Sequence, residues 1–156
     1  MEQGLEWAEK SINHPWVGEE NFTTLKTKAQ ILKLLNRHKE ANSIMQFALN
    51  HASTVFQVHN YGRELIALGN KKEALEVFKL NAKNHPNTWP VNLGLARAYA
   101  EFGDYDKALK FIHFAMKQIP KNDHLNKMNV ENLFQNIKKK EKLPLYLYED
   151  TLIQVY

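Results

Sequence analysis

The chain has no cysteine in its 156 residues, which excludes disulfide frameworks, thiol catalysis and thiolate metal sites. Glycine and proline are scarce, at six and five residues, so collagen-like and low-complexity chains are excluded as well. No apolar run approaches the ~20 residues that a membrane-crossing helix needs; stretches such as Leu145 to Tyr148 are far shorter. Nor does one sign of charge dominate. Lys+Arg 21 against Asp+Glu 17 leaves +4, a mild basic excess that favours an acidic partner without being a nucleic-acid footprint. The opening residues, Met1 to Trp7, carry acid where a secretory signal has a basic start and an apolar stretch. What is present, 44% hydrophobic and 24% charged residues, is the composition of a folded domain.

Self-similarity at a period of a few tens of residues decides a fold before any single motif does. Gly69, Ala74, Leu75 and Pro86 reappear thirty-four residues later as Gly103, Ala108, Leu109 and Pro120, and Leu65 and Phe78 are answered by Tyr99 and Ile112. Going backward, Ala29, Leu32, Ala41, Met45 and Ala48 stand thirty-three residues before Gly62, Leu65, Ala74, Phe78 and Asn81. Three copies follow, at 22–54, 55–88 and 89–122.

Each copy holds two helical patterns about a turn, as in Val91 to Phe102, then Gly103-Asp104, then Tyr105 to Ile119. In the second of these, Tyr105, Ala108, Leu109, Ile112, Ala115, Met116 and Ile119 recur at three- and four-residue steps and share one face, which must be buried. Gly62 and Ala96 in first helices, with Ala41, Ala74 and Ala108 in second helices, allow paired backbones to approach closely. Gly69 and Gly103 fall where a helix end calls for left-handed backbone, and Pro86 and Pro120 stop the second helices. Thr88 before Trp89-Pro90 reads as a cap with proline in the first turn.

These residues resemble the tetratricopeptide repeat, a helix-turn-helix unit of thirty-four residues with small residues at fixed positions and a proline near its end. The third copy carries the resemblance best, through Leu95 to Tyr99, Gly103 to Ala108, Ala115 and Pro120. Departures are Asn92 in the third copy, Lys71 and Asn81 in the second, and Lys28, Asn36 and Ser53 in the first. The resemblance implies an all-α fold, a right-handed superhelical solenoid of antiparallel helix pairs, acting as a non-catalytic protein-interaction module.

Upstream, Gly4, Leu5, Trp7, Ala8, Ser11 and Ile12 match the second-helix half of another repeat, so residues 1–21 are expected to be that helix plus a connector. A piece of a longer protein and a native half-repeat acting as a cap both fit that start. Downstream, 123–142 is expected to be a capping helix, with Leu125, Met128, Leu133, Phe134 and Ile137 on its apolar stripe and Lys138-Lys139-Lys140-Glu141-Lys142 complementing the negative helix end. Residues 143–156 are expected to be an apolar tail, packed on its own repeats or in a neighbouring molecule's groove.

Of the chemistry-bearing residues, the seven histidines, at 14, 38, 51, 59, 85, 113 and 124, show no short metal spacing. No phosphate-cradling loop, Gly-x-Ser-x-Gly elbow or cysteine nucleophile occurs, so no metal, cofactor or enzymatic activity is expected. Glu19-Glu20 falls in a connector, and Asp104 and Asp106 fall at a helix start, where acids are electrostatically favoured. Trp7, Trp16 and Trp89 read as core or junction residues.

In the resembled family the first helices line the concave side. Carried over, that places Lys26, Gln30 and Lys33, then Phe56, His59, Asn60 and Arg63, then Leu93 and Arg97 on a partner-binding face, with Thr23 and Glu101 beside them. Lys26 and Arg97 match positions with which some members hold a peptide's terminal carboxylate, whereas Gln30 and Leu93 depart. The expected partner is therefore a protein or peptide, acidic or ending in a carboxylate, held by Lys26, Arg63 and Arg97 with apolar contact from Phe56 and Leu93. A solvated charged face fits the same residues. Homodimerisation through the tail or the open N-terminal end, or service to a separate enzymatic domain, are the alternative roles. A second resemblance, through Gly4 to Ile12, His59 to Arg63 and Glu73 to Asn81, is to the C-terminal helical region of an uncharacterised bacterial family. It implies an envelope or periplasmic setting, because that region often follows an exported β-rich domain.

Overall fold

Helical periodicity, punctuated by left-handed residues and prolines, accounts for the element order. The computed structural model describes residues 2–12, 21–51, 53–141 and 143, and among these the chain is helical throughout, without a strand. The helices are α1 (Glu2–Ile12), α2 (Phe22–Leu34), α3 (His38–His51), α4 (Val55–Ala67), α5 (Lys71–Asn84), α6 (Trp89–Glu101), α7 (Tyr105–Gln118) and α8 (His124–Lys139). They fall into two units, Met1–Thr54 and Val55–Tyr156.

In the first unit α2 packs on α1 and on α3. Its start is fixed by a reciprocal cap, in which Thr24 N donates to Asn21 Oδ1 at 3.1 Å and Asn21 N donates to Thr24 Oγ1 at 3.2 Å. Phe22, Leu25, Ala29 and Leu32 are buried at helical spacing, facing Ala41, Met45, Ala48 and Leu49 of α3, while α1 contributes Leu5. In the second unit each helix packs on the next, and α4 also packs on α6. Ten of the thirteen α6 residues are buried, so this helix is enclosed by its neighbours rather than lying on them. Ala108, Ile112 and Ala115 of α7 meet Val130, Leu133 and Ile137 of α8 in its core.

The turns of the three hairpins are built alike. Asn36, Gly69 and Gly103 have φ of 60°, 79° and 76°. Each donates its N–H to the carbonyl three residues back, and the following residue reaches five back: Arg37 N to Leu32 O at 2.9 Å, Asn70 N to Leu65 O at 2.8 Å, Asp104 N to Tyr99 O at 2.9 Å. This Schellman arrangement satisfies the orphaned carbonyls of one helix and aims the chain into the next. The carbonyls of Arg37, Asn70 and Asp104 then accept from Ala41, Ala74 and Ala108, alanines with no exposed surface.

Each departure from the repeat pattern makes a local contact. Lys28 Nζ pairs with Glu9 of α1 at 3.4 Å, and Lys71 Nζ pairs with Glu101 at 2.8 Å. Ser53 Oγ donates to Leu49 O at 2.8 Å, holding the end of α3 where a proline is usual. Asn81 Nδ2 donates to Val55 O at 3.0 Å and Asn92 Nδ2 to Gln118 Oε1 at 2.7 Å.

Several expectations are corrected. On α8, Leu125 and Met128 are exposed, and Val130 takes their place in the core. At 100° per residue Met128 lies opposite Ile137, so both cannot face α7. Trp7 is 72% exposed rather than core, with Lys10 Nζ 5.8 Å over its ring. Thr88 precedes α6 as expected, but its hydroxyl donates backward to His85 O at 3.2 Å and makes no cap bond. Leu143, the first residue of the expected tail, takes one of the two placements expected for it, buried against the α7–α8 core of its own chain. The rest of that tail from 144, the connector with Glu19-Glu20, His14, and Trp16 lie outside the described residues.

Candidate functional site

Of the nine residues expected on a partner-binding face, Lys26, Gln30 and Lys33 belong to the first unit. Their four- and three-residue spacing puts them on one side of α2, with Gln30 exposed and the two lysines half-buried. The other six belong to the second unit, on α4 and α6.

Phe56, His59, Asn60 and Arg63 follow one another at three- and four-residue steps, so they share the side of α4 that includes its contact with α6. His59 is nearly buried. Its Nδ1 donates to Pro90 O at 2.9 Å, and its ring lies 5.7 Å from that of Phe78 on α5. Because a carbonyl only accepts, Nδ1 carries the proton and Nε2 is the acceptor of a neutral ring. Gly94 makes room for this: a Cβ there would stand 3.2 Å from His59 Nδ1. At the N-terminal ends of the two helices, exposed Phe56 and half-buried Trp89 meet edge-to-face with ring centroids 5.6 Å apart.

Burial and charge set the state of the His59 ring. Burial, and then the guanidinium groups of Arg97 and Arg63, hold the His59 imidazole down to about 3, against its ordinary value of 6.5. His59 is therefore uncharged at neutral pH, while both arginines keep their charge. The Nε atoms of both arginines are buried, which restricts the planes of their guanidinium groups.

Leu93, expected on that face, is buried and belongs to the core cluster with α7 and α8. Arg97 and His59 are also buried, because α6 is enclosed by α4, α5 and α7. The accessible part of the face is Phe56, with half-buried Asn60 and Arg63 beside it. Trp89 and Pro90 were not singled out from sequence as members of the site. Their one legible signal was the Trp-Pro pair at the start of α6, which brings a ring and a carbonyl to the α4 surface.

Among the described residues no three His, Asp or Glu are grouped to hold a metal ion, and no helix is long and apolar enough to cross a membrane. The sequence matches no protein-family model and no curated protein.

Proposed function

We propose that the chain is a non-catalytic protein-interaction module of tetratricopeptide-like hairpins, whose α4–α6 face takes an acidic peptide segment. The observation that carries this is the grouping of Phe56, Asn60 and Arg63 at three- and four-residue steps along α4, with Phe56 edge-to-face against Trp89 of α6 at 5.6 Å. Arg63 is charged at neutral pH and shares that side of α4 with the aromatic pair, so an Asp, Glu or terminal carboxylate is the complementary group. The recurrence of one turn geometry at Asn36, Gly69 and Gly103 supports the repeat assignment.

The test is the anisotropy of a fluorescein-labelled peptide of alternating Leu and Glu, measured with a free and with an amidated C-terminus. Arg63→Ala/Arg97→Ala should weaken binding about tenfold or more while the helical circular dichroism is retained. Unchanged affinity in that variant rejects the proposal. A larger loss on amidation than on Glu→Gln replacement identifies the terminal carboxylate as the group held.

A second role, self-association, is favoured by Leu125 and Met128, 57% and 56% exposed on the outer side of α8. Light-scattering mass across a concentration series, with Leu125→Glu/Met128→Glu as the comparison, distinguishes it.

A further inference from the structure

We infer that the outer face shared by α7 and α8, where lysines of both helices flank an exposed phenylalanine, docks on an anionic lipid bilayer. It shares no residue with the α4–α6 face.

On α7, Lys110, Phe114 and Lys117 follow one another at four- and three-residue steps, on the side opposite the buried Ala108, Ile112 and Ala115. All three are exposed, Phe114 by 44%. Beside them exposed His113 meets half-buried Phe134 of α8, with ring centroids 5.1 Å apart. Exposed Lys127 and Lys138 stand seven residues before and four after Phe134, on the same side of α8. The ring contact thus joins two lysine-bearing stripes into one face.

These lysines differ from others of the second unit. Lys71, Lys79 and Lys107 are each paired with a carboxylate, of Glu101, Glu76 and Asp104. Among the described residues, Lys110, Lys117, Lys127 and Lys138 pair with none. The acids on the same face are Asp106, one turn before Lys110, and Glu131, one turn after Lys127, which accepts from Gln135 Nε2 at 3.0 Å. Four lysines against two carboxylates leave the face net positive.

The partner must therefore be anionic and must also take an apolar ring. Phe114 stands on a helix ridge rather than in a groove, so it has no walls with which to hold a side chain. A bilayer needs none: the ring enters the headgroup layer, while the lysine stems lie along its apolar boundary and the ammonium groups reach the phosphates. Every cation of the face is a lysine, a point charge suited to a diffuse anionic layer; the forked geometry that singles out one carboxylate belongs to arginine. Single-stranded nucleic acid stacks its bases on open ring faces. His113 and Phe134 are tilted 56° against each other and leave Phe114 as the one open ring of the three.

The test sediments the full chain with sucrose-loaded vesicles of phosphatidylcholine, or of phosphatidylcholine with about one-third phosphatidylglycerol. Binding to the anionic vesicles should exceed binding to the neutral ones about tenfold or more, and fall as salt is raised. Lys110→Gln/Lys117→Gln should weaken it about tenfold or more, and Phe114→Ser several-fold. Lys39→Gln/Lys72→Gln, which removes the same charge from exposed positions elsewhere, should leave most of it. Every replaced residue is exposed, and circular dichroism melting verifies that each variant folds. No binding to anionic vesicles overturns the inference, as does an equal loss in the two double-lysine variants, which would reduce the effect to overall charge. If polyglutamate or oligodeoxythymidine binds through Lys110 and Lys117 while vesicles do not, the partner is a polyanion of another class and the bilayer assignment falls.

Discussion

The Phe78 ring occupies the space that a side chain on Gly94 would need: a Cβ built there falls 2.6 Å from Phe78 Cε1. Gly62 of α4 is in the same position, its Cβ 2.5 Å from Phe78 Cζ. Phe78 is wholly buried, so α5 inserts one aromatic ring between two glycines on the helices that carry the candidate site. Alanine in either helix gains ~1 kcal/mol of intrinsic propensity over glycine. Overpacking against a ring with nowhere to go costs about 1–3 kcal/mol, so the clash should win. Gly94→Ala is expected to lower urea-unfolding stability by about 1–2 kcal/mol, and Phe78→Leu in that background to recover part of the loss. A Gly94→Ala protein as stable as the original would show that the ring can move aside.

At the hairpin turns the strain lies in the backbone alone. A Cβ at Gly69 or Gly103 meets nothing within 4 Å, yet both residues have positive φ, near 79° and 76°. Gly103→Ala should therefore cost about 1 kcal/mol, the left-handed penalty of an L-residue. Asn36, with φ of 60°, already bears part of that penalty. Asn36→Gly is expected to stabilise the first unit by up to about 0.5 kcal/mol. Thermal unfolding of the two variants is the check, and shifts of the same sign would contradict it.

Such turns explain why the helices were legible in the sequence while part of the site was not. Gly69, Gly103, Pro86 and Pro120 act through backbone geometry that depends on local sequence alone, so their spacing located the helix ends directly. Face assignment depends on what each helix packs against. Leu93 belongs to the core because α7 and α8 cover it, and Met128 is exposed because it lies opposite Ile137 on α8. Neither fact is local. The partnership of His59 with Pro90 spans thirty-one residues and pairs a ring with a carbonyl, a group every residue carries, so no residue type announces it.

His59 gives the second unit a pH dependence whose sign follows from its neutrality. Its ordinary value is 6.5 and the folded value about 3, lowered by burial first and then by Arg97 and Arg63. On acidification the unfolded chain takes up a proton near 6.5 that the folded one refuses until about 3. The contribution of neutral His59 is thus complete above 6.5 and is lost as pH falls toward 3, at about 1.4 kcal/mol per pH unit. His59→Leu removes this group. The stability difference between the original protein and His59→Leu should therefore shrink by about 2 kcal/mol from pH 7 to pH 5 in urea titrations. A constant difference would mean that His59 is protonated as easily in the fold as out of it.

Asn92 stands where the resembled repeat carries a large aromatic, and its amide is answered by a short chain of hydrogen bonds. Asn92 Nδ2 donates to Gln118 Oε1 at 2.7 Å, and Gln118 Nε2 donates to Asn87 O at 3.0 Å. The last turn of α7 is thereby tied to the first turn of α6 and to the left-handed Asn87 that leads into it. Removing the exposed partner leaves the nearly buried Asn92 amide unanswered, so Gln118→Ala is expected to cost about 1–2 kcal/mol. Replacing both members by apolar groups removes the unsatisfied donor, so Asn92→Leu/Gln118→Ala should be less destabilised than Gln118→Ala alone. Unfolding titrations of the full cycle should give a coupling of at least about 0.5 kcal/mol, and strict additivity would dissolve the pair. The consequence reaches the candidate site, because Pro90, whose carbonyl holds His59, lies between Asn87 and Asn92. Loosening that turn in Gln118→Ala should move the His59 Nδ1 proton resonance, whereas a distant surface change such as Lys39→Ala should leave it in place.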